Sequence, residues 1–177
     1  EKDLMLATRM RDTAFKRVLK AVNLGTEVKI DGPFGSFTLH RDGSRAAVFV
    51  AGGIGVTPFR SMILDATRQK ISTRLFLFYS NRRPEDAAFL AELQQAEDQN
   101  PNFKFIGTFT EMKTSQQTWE GETGWIDGPM LARHLNGLAS PIYYSAGPPA
   151  MVTAMREMLL HAGVDEDSIR AEDFAGY

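Results

Sequence analysis

Cysteine is absent from the 177 residues of this sequence. The absence excludes disulfide bonds, thiolate catalysis and cysteine-held zinc or iron–sulfur sites within the chain. Long apolar runs are also missing, because the longest covers only residues 46–51, whereas a membrane-spanning helix needs about 20 residues. No secretory signal peptide is visible. We therefore predict no membrane span in these residues, and a location in the cytoplasm or at the cytoplasmic face of a membrane.

An excess of charge of either sign is lacking as well. The sequence has 20 Lys and Arg residues and 22 Asp and Glu residues, a net charge of −2, and its basic side chains form no stripe. This balance does not favour a nucleic-acid partner. The 43% of hydrophobic residues is ordinary for a globular protein, and the length predicts one domain, or one domain and part of another.

The region from residue 44 onward alternates between apolar strands and amphipathic helices. Its first strand is continuously apolar, which is typical of a strand covered on both faces. The alternation predicts an α/β fold with a doubly wound parallel sheet, in which ligands bind at the carboxyl ends of the strands. The predicted strands cover residues 46–51, 74–79, 103–110, 141–146 and 168–174, and the predicted helices cover residues 57–70, 84–95, 128–135 and 149–161.

Residues 1–43 have a different pattern. Strands are predicted over residues 3–10, 26–31 and 36–40, and a short helix is predicted over residues 14–22. A polar Arg-Asp-Gly-Ser segment then interrupts the chain. We place the domain boundary in this segment, which gives one domain over residues 1–43 and a second over residues 44–177.

A glycine-rich turn follows the first buried strand. Gly53 and Gly55 have no side chain to keep a phosphate away from the backbone, and the helix beginning near Thr57 directs its free amides to the same place. Pro58 completes a Gly-x-Gly-x-x-Pro pattern, which is neither the three-glycine dinucleotide fingerprint nor a Walker loop. The turn predicts a phosphate site, and the alternative is a tight strand-to-helix turn without a ligand.

The second strand is followed by Ser80, Asn81, Arg82 and Arg83. No acidic residue stands where one would hydrogen-bond a ribose 2′-hydroxyl, and paired arginines suit a 2′-phosphate. The pair slightly favours NADPH over NADH. The alternative is a solvated loop with two surface arginines.

Two weaker signals lie after the fourth strand and at the end of the chain. Gly147 permits close backbone approach and Pro148 fixes the entry to the next helix, but on its own this motif favours a rigid loop followed by Met151 as a core residue at helical spacing. Glu172 offers a carboxylate that can steady a developing positive charge, and a terminal aromatic ring can pack on a flat ligand. A rigid loop and a frayed strand end are the alternatives.

The order and separation of these motifs are more specific than any one of them. Gly32-Pro33-Phe34-Gly35, Gly53-x-Gly55-x-x-Pro58, Gly147-Pro148-Pro149-x-Met151 and Glu172-x-Phe174 follow one another along the chain. Together they resemble the ferredoxin–NADP⁺ reductase superfamily over essentially the whole sequence. The resemblance implies the last strands of an antiparallel β-barrel that binds FAD, followed by an α/β domain that binds a nicotinamide nucleotide.

The same resemblance implies a role for each motif. The Gly-Pro-x-Gly turn lies beside FAD, the Gly-x-Gly-x-x-Pro turn holds the pyrophosphate, the loop after the second strand grips the adenosine ribose, and the Gly-Pro-Pro-x-Met segment lies against the nicotinamide. The closing carboxylate lies near the point of hydride transfer and the closing aromatic shields the flavin, a role for which the terminal tyrosine is a rival. The implied cofactor-binding residues are Gly32, Pro33, Gly35, Gly53, Gly55, Thr57, Pro58, Ser80, Asn81, Arg82, Arg83, Gly147, Pro148, Met151, Phe174 and Tyr177, the implied catalytic residues are Thr57, Glu172 and Phe174, and no metal is implied.

The sequence departs from the family pattern in three places. Many members carry cysteine where this chain has Ala146, so a thiol contact to the nicotinamide is lost. The Arg-x-Tyr/Phe-Ser signature for FAD is absent, and residues 12–15 (Asp-Thr-Ala-Phe) stand where a Gly-x-x-Ser helix start usually faces FAD. These departures predict that the chain is part of a longer polypeptide and has weak or no FAD affinity of its own.

The implied function is that of an enzyme module. A FAD-dependent NAD(P)H oxidoreductase passes hydride between nicotinamide and flavin and hands electrons to an acceptor protein or domain, so the expected cofactors are FAD and NADP or NAD. The departures keep a second hypothesis open, a nucleotide-binding or regulatory domain without turnover. A third is an unrelated doubly wound protein without a nucleotide, since fold alone does not fix function.

Overall fold

The structure is a computed structural model that describes residues 4–8, 10–32 and 34–174. The chain divides after Ser36 into two compact units. The larger unit contains a six-stranded sheet and four α-helices, and the smaller unit contains one described α-helix. Among the described residues, no helix combines the length and the apolar character that crossing a bilayer requires.

The sheet of the larger unit is parallel throughout, as the alternation of strands and helices predicts. Its strand order is β4-β3-β2-β1-β5-β6, and every neighbouring pair runs in the same direction. The central strand β1 is buried along its whole length, because helices cover both faces. The strands are β1 Ala47–Gly52, β2 Leu75–Asn81, β3 Phe103–Phe109, β4 Glu122–Thr123, β5 Ile142–Gly147 and β6 Ile169–Asp173.

The helices of this unit lie in two layers. Apolar side chains of α2 (Val56–Gln69) and α3 (Leu90–Gln99) pack in one hydrophobic cluster with one face of the sheet. Those of α4 (Gly128–Leu135) and α5 (Pro149–His161) pack in a second cluster with the opposite face. The doubly wound α/β class is therefore confirmed.

Two local predictions for the larger unit were wrong. A helix was expected over residues 84–95, but Pro84–Asp86 forms a 3₁₀ turn and α3 begins at Leu90. The helix begins later than expected because Phe89, the residue before it, adopts a left-handed backbone with φ +61° that is incompatible with a continuous α-helix. The short edge strand β4 is also absent from the predicted strands.

The smaller unit contains α1 (Ala14–Ala21), which confirms the predicted helix to within one residue. Thr13 caps it by accepting a hydrogen bond from the Lys16 amide. The strands predicted over residues 3–10 and 26–31 are not formed in the part that the structure describes. A strand needs a hydrogen-bonded neighbour, and no ladder pairs these segments; their larger apolar side chains, including Leu4, Leu6, Val28 and Ile30, remain exposed.

Residues 37–40, predicted as a strand at the end of the first domain, belong to the larger unit and are not a strand either. The Phe37 ring contacts the rings of Phe59 and Tyr144, both at 5.8 Å between centroids. The His40 amide donates to the Tyr144 hydroxyl at 2.9 Å. The compact units thus divide before this segment, and the predicted functional boundary at residue 43 stays a prediction.

Candidate nucleotide-binding site

The strand order places a topological switch point between β1 and β5. From β1 the chain proceeds outward to β2, β3 and β4, whereas β5 and β6 lie on the other side of β1. Ligands of open α/β sheets bind at the carboxyl ends of the strands at such a point. Here the strand ends are Gly52 of β1 and Gly147 of β5, and Ser80 of β2 is the register partner of Gly52.

The turn after β1 fits only glycine at its third position. Gly53–Gly55 is a 3₁₀ turn, and Gly53 has a positive φ of +53°. A Cβ built on Gly55 would lie 2.2 Å from the carbonyl oxygen of Ala146. The end of β5 therefore touches the backbone of this turn directly.

The end of β5 meets β1 in the same way. Gly147 has φ +149°, and its Cβ would lie 3.0 Å from the Gly52 carbonyl oxygen. A Cβ on Gly52 would lie 2.6 Å from Met151 Sδ and 2.9 Å from Pro148 Cδ. Gly52 was missed as a site residue in the sequence, although it is the first glycine of the Gly-Gly-x-Gly run.

Two helix N-termini flank this contact and carry no side-chain cap. Neither α2 nor α5 has a capping side chain or an acidic residue in its first turn. By contrast, α1 and α4 are capped by Thr13 and Asp127. The positive end of a helix dipole with no acidic side chain in its first turn is suited to an anion. In α2 the Thr57 hydroxyl donates to the Ile54 carbonyl at 3.0 Å, which stiffens the turn, and Pro58 follows it.

The loop after β2 presents charges that are already paired. Arg83 binds Asp86 in a bidentate contact, with Nε–Oδ2 at 2.8 Å and an Nη–Oδ1 hydrogen bond at 3.0 Å. Its Nε is also 3.7 Å from Glu85. Arg82 Nε lies 3.6 Å from a carboxylate oxygen of Glu111, the residue that follows the end of β3 by two positions. The Asp86 carboxylate raises the pKa of Arg83.

Two further contacts fix this loop against the loop after β3. The Glu111 amide donates to the Arg82 carbonyl at 2.8 Å. The Glu85 carboxylate accepts from the Ser115 hydroxyl at 2.8 Å and from the Gln116 amide at 3.2 Å. The hydrogen bond from its own amide, followed by those from Ser115 and Gln116, lowers the pKa of Glu85. Asn81, predicted here as a binding residue, has a buried Nδ2 with no hydrogen-bond partner in the described structure.

The last described residues return to the switch point along β6. Glu172 is exposed and is the register partner of Ala146. The Phe174 amide donates to the Gly147 carbonyl at 3.0 Å, and its half-buried ring packs against the cluster under α2. The structure thus brings Phe174 to the end of β5, as expected for a residue of the site. Tyr177 lies outside the described residues.

The remaining predicted residues belong to the smaller unit. Gly32 and Gly35 have positive φ values of +142° and +86°, as a tight glycine turn requires. Pro33 lies outside the described residues. In the described part of the chain, no group of three or more His, Asp or Glu side chains is arranged to hold a metal ion.

A parallel sheet whose switch point is lined by glycines and flanked by uncapped helices defines a nucleotide-binding domain of the ferredoxin-reductase type. The chain belongs to the family described as "Oxidoreductase NAD-binding domain", which it matches over residues 49–157. This confirms the predicted resemblance, and the chain is a nicotinamide-nucleotide domain of the oxidoreductases.

Named relatives agree with this family. The chain is 36% identical over 156 residues to a subunit of the Na(+)-translocating NADH-quinone reductase of Methylococcus capsulatus, an alignment that covers 86% of this chain and 38% of the relative. The corresponding protein of Pseudomonas paraeruginosa is 34% identical over the same shares of the two chains. The chain therefore spans less than half the length of these relatives.

Solved structures show the same fold. The cytochrome b5 reductase domain of Ulva prolifera nitrate reductase superimposes with a TM-score of 0.77 at 24% identity, covering 90% of this chain and 66% of that one. The ferredoxin reductase in carbazole 1,9a-dioxygenase gives a TM-score of 0.72 at 26% identity, covering 95% and 49%.

Proposed function

We propose that this chain is the NADH-binding module of a flavoprotein reductase. The nucleotide delivers hydride to a flavin, and the electrons pass to an acceptor protein or domain. The observation that carries the proposal is the direct contact of two glycine turns between two uncapped helix N-termini. That arrangement lets a diphosphate come close to the glycine backbone at the positive ends of two helix dipoles.

Different residues around the switch point bind different parts of the nucleotide. The turn of residues 53–55 and the first turn of α2 take the diphosphate. The segment from Gly147 to Met151 lies against the nicotinamide end, and Phe174 is held beside it by its hydrogen bond to Gly147. Ser80 and the loop after β2 take the adenosine ribose.

NADH is favoured over NADPH by the charges of that loop. The two arginines that suit a 2′-phosphate are each engaged by carboxylates, and the acids Glu85, Asp86 and Glu111 outnumber them. A 2′-phosphate dianion would have to displace these partners, whereas an uncharged 2′-hydroxyl would not. The slight preference for NADPH expected from sequence is thus replaced by a preference for NADH, which accords with the names of the relatives.

The family resemblance is the basis for proposing a flavin partner. The described part of residues 4–36 forms no barrel strand that would hold FAD. Gly32, Pro33 and Gly35 stay the predicted FAD neighbours. Thr57, Glu172 and Phe174 stay the predicted catalytic residues, and the protein's task is to orient the two rings and exclude water while the cofactors supply the hydride chemistry. We place the protein in the cytoplasm or at the cytoplasmic face of a membrane.

Isothermal calorimetry of the 177-residue chain tests the proposal. We expect NADH to bind with 1:1 stoichiometry and more tightly than NADPH at low ionic strength. Absence of binding for both nucleotides at millimolar concentration would contradict it. A second readout, in a longer polypeptide that contains a complete FAD barrel, is loss of flavin absorbance when NADH is added. A nucleotide-binding domain without turnover, which the alanine at position 146 favours, would bind NADH but leave the flavin oxidised.

A further inference from the structure

A buried cation lies one turn into the helix that the proposal assigns to the diphosphate. Arg60 is only 5% exposed. Its Nε and an Nη donate to the two carboxylate oxygens of Glu92 in α3 at 2.5 and 2.7 Å. Its guanidinium carbon also lies 4.8 Å from the centroid of the Phe89 ring. Arg60 thus joins α2 to the first turn of α3 and to the residue before that helix.

The position of Arg60 on α2 would suit an apolar side chain. Val56 and Ile63, four residues before and three after it, are fully buried in the same cluster, so the apolar stripe of the helix passes through position 60. The ion pair with Glu92, whose side chain is 38% exposed, adds little to stability compared with apolar side chains of similar size. Stability alone therefore does not account for the arginine.

The groups that Arg60 holds define the end of the loop after β2. Phe89 adopts its left-handed backbone there, a conformation that a non-glycine residue keeps only when its surroundings enforce it. Its carbonyl accepts from the Leu93 amide at 3.0 Å, which starts α3. The preceding residue is also anchored, because the hydroxyl of the buried Tyr79 donates to the Ala88 carbonyl at 3.2 Å. The far end of the ribose loop is therefore fixed by contacts from α2 and β2.

We propose that Arg60 is a positioning residue for the adenosine half of the nucleotide. Through Glu92 and Phe89 it sets where the loop of residues 82–89 stands relative to the N-terminus of α2, so that one nucleotide reaches both. This inference rests on the proposed function and names a determinant within the same site. Arg60 acts through the loop and needs no contact with the nucleotide.

The test compares two ligands, one that contacts both the ribose loop and helix α2 and one that contacts the helix alone. We would titrate the 177-residue chain and its Arg60→Met variant with 5′-AMP, which needs both the loop and the helix, and with inorganic pyrophosphate, which needs the helix alone. We expect the affinity for 5′-AMP to fall about tenfold, within the range for residues that couple two sites indirectly, while the affinity for pyrophosphate is unchanged. Equal affinities of the variant and the original chain for 5′-AMP would overturn the inference.

Two further variants separate positioning from simple stabilisation. In the double variant Arg60→Met with Glu92→Leu no buried charge is left unpaired, so we expect the thermal midpoint to recover but the affinity for 5′-AMP to stay low. Recovery of both together would show that Arg60 is merely structural. Arg60→Lys keeps the charge but loses the bidentate fork and the ring contact, so we expect an intermediate loss.

The matched control is Arg68→Met on the same helix. Arg68 pairs with Asp65 at 2.5 Å, but its side chain is 73% exposed, and we expect no change in the affinity for 5′-AMP. If the original chain binds neither NADH nor 5′-AMP nor pyrophosphate, the proposed function fails and this inference fails with it. If the original chain binds all three and Arg60→Met does so equally well, only the inference fails.

Discussion

The candidate site has two halves that are held together by different interactions. The glycine half lies at the carboxyl ends of β1 and β5, and the charged half lies at the carboxyl ends of β2 and β3. At the carboxyl ends of β1 and β5 uncharged groups pack directly on the backbone of three glycines, Gly52, Gly55 and Gly147. At the carboxyl ends of β2 and β3 the contacts are made by long charged side chains that pair with one another. The first half is fixed by steric fit and the second by electrostatics.

This difference predicts how each half responds to change. Backbone atoms in contact have nowhere to move, so an added methyl group must separate two strands of the sheet. Exposed ion pairs each contribute little to stability and are screened by salt. Substitutions in the glycine half should therefore weaken or abolish NADH binding, whereas those in the charged half should shift selectivity between NADH and NADPH.

The largest effect is expected for Gly55→Ala. Gly55 has φ −61°, which alanine adopts freely, so the penalty is steric: the new methyl would lie 2.2 Å from the Ala146 carbonyl oxygen and 2.6 Å from Gly147 Cα. We expect loss of measurable NADH binding in calorimetry and a lower thermal midpoint. Gly128→Ala is the control, because a methyl there would meet only Met158 Sδ at 3.9 Å. Retained NADH affinity in Gly55→Ala would show that the turn tolerates separation from β5.

A smaller loss is expected for Gly147→Ala. Its Cβ would be 3.0 Å from the Gly52 carbonyl oxygen, and the residue has a φ of +149°. Holding alanine in such a backbone costs about 1–3 kcal/mol. We expect a folded protein of reduced stability in urea titration, with weaker NADH binding. A stability equal to that of the original chain would mean that the backbone at β5 relaxes.

The glycine half was largely accessible from the sequence. Gly53 and Gly55 follow a continuously apolar strand, Gly147 stands at the end of another strand, and strand ends of a doubly wound sheet converge by topology. The sequence does not show which atoms come into contact, so Gly52 was not predicted as a site residue although Met151 and Pro148 pack on it. The contact is between residues almost a hundred positions apart, and no local pattern encodes it.

The charged half also depends on contacts that the sequence does not display. Arg82 and Arg83 were interpreted as available cations, but the acids that engage them lie both nearby and in the loop after β3. The restart of α3 at Leu90 depends on Phe89 and on its contact with Arg60, 29 positions earlier in the chain. The predicted strands of residues 3–10 and 26–31 also depend on ladder partners, which local alternation cannot supply.

A change of selectivity is expected for Asp86→Asn. The substitution removes the carboxylate that holds Arg83 at 2.8 Å and turns the guanidinium toward a 2′-phosphate. Interactions between exposed charges are weak and screened by salt, so we expect the ratio of NADPH to NADH affinity to rise only about fivefold in low salt. The gain should shrink at 1 M salt.

The control for this change is Glu122→Gln. Glu122 pairs with Arg133 at 2.8 Å, at the short edge strand β4 rather than in the ribose loop. We expect it to leave the ratio of NADPH to NADH affinity unaltered. If Asp86→Asn also leaves the ratio of NADPH to NADH affinity unaltered, Arg83 does not contribute to recognition of the 2′-phosphate.

The smallest effect is expected from titrating Glu85, whose carboxylate ties the loop after β2 to Ser115 and Gln116. These hydrogen bonds, with that of its own amide, hold the pKa of Glu85 below its ordinary value of 4.5. The folded state therefore binds the proton less readily than the unfolded state, so the contribution of Glu85 to stability is fully present above pH 4.5 and is lost as the pH falls through the lowered pKa. Urea titrations should show a difference between the original chain and Glu85→Gln that is constant from pH 6 to pH 5 and narrows toward pH 3. If the difference in stability persists at pH 3, the contribution of Glu85 does not come from its charge, and the electrostatic account of this half of the site is contradicted.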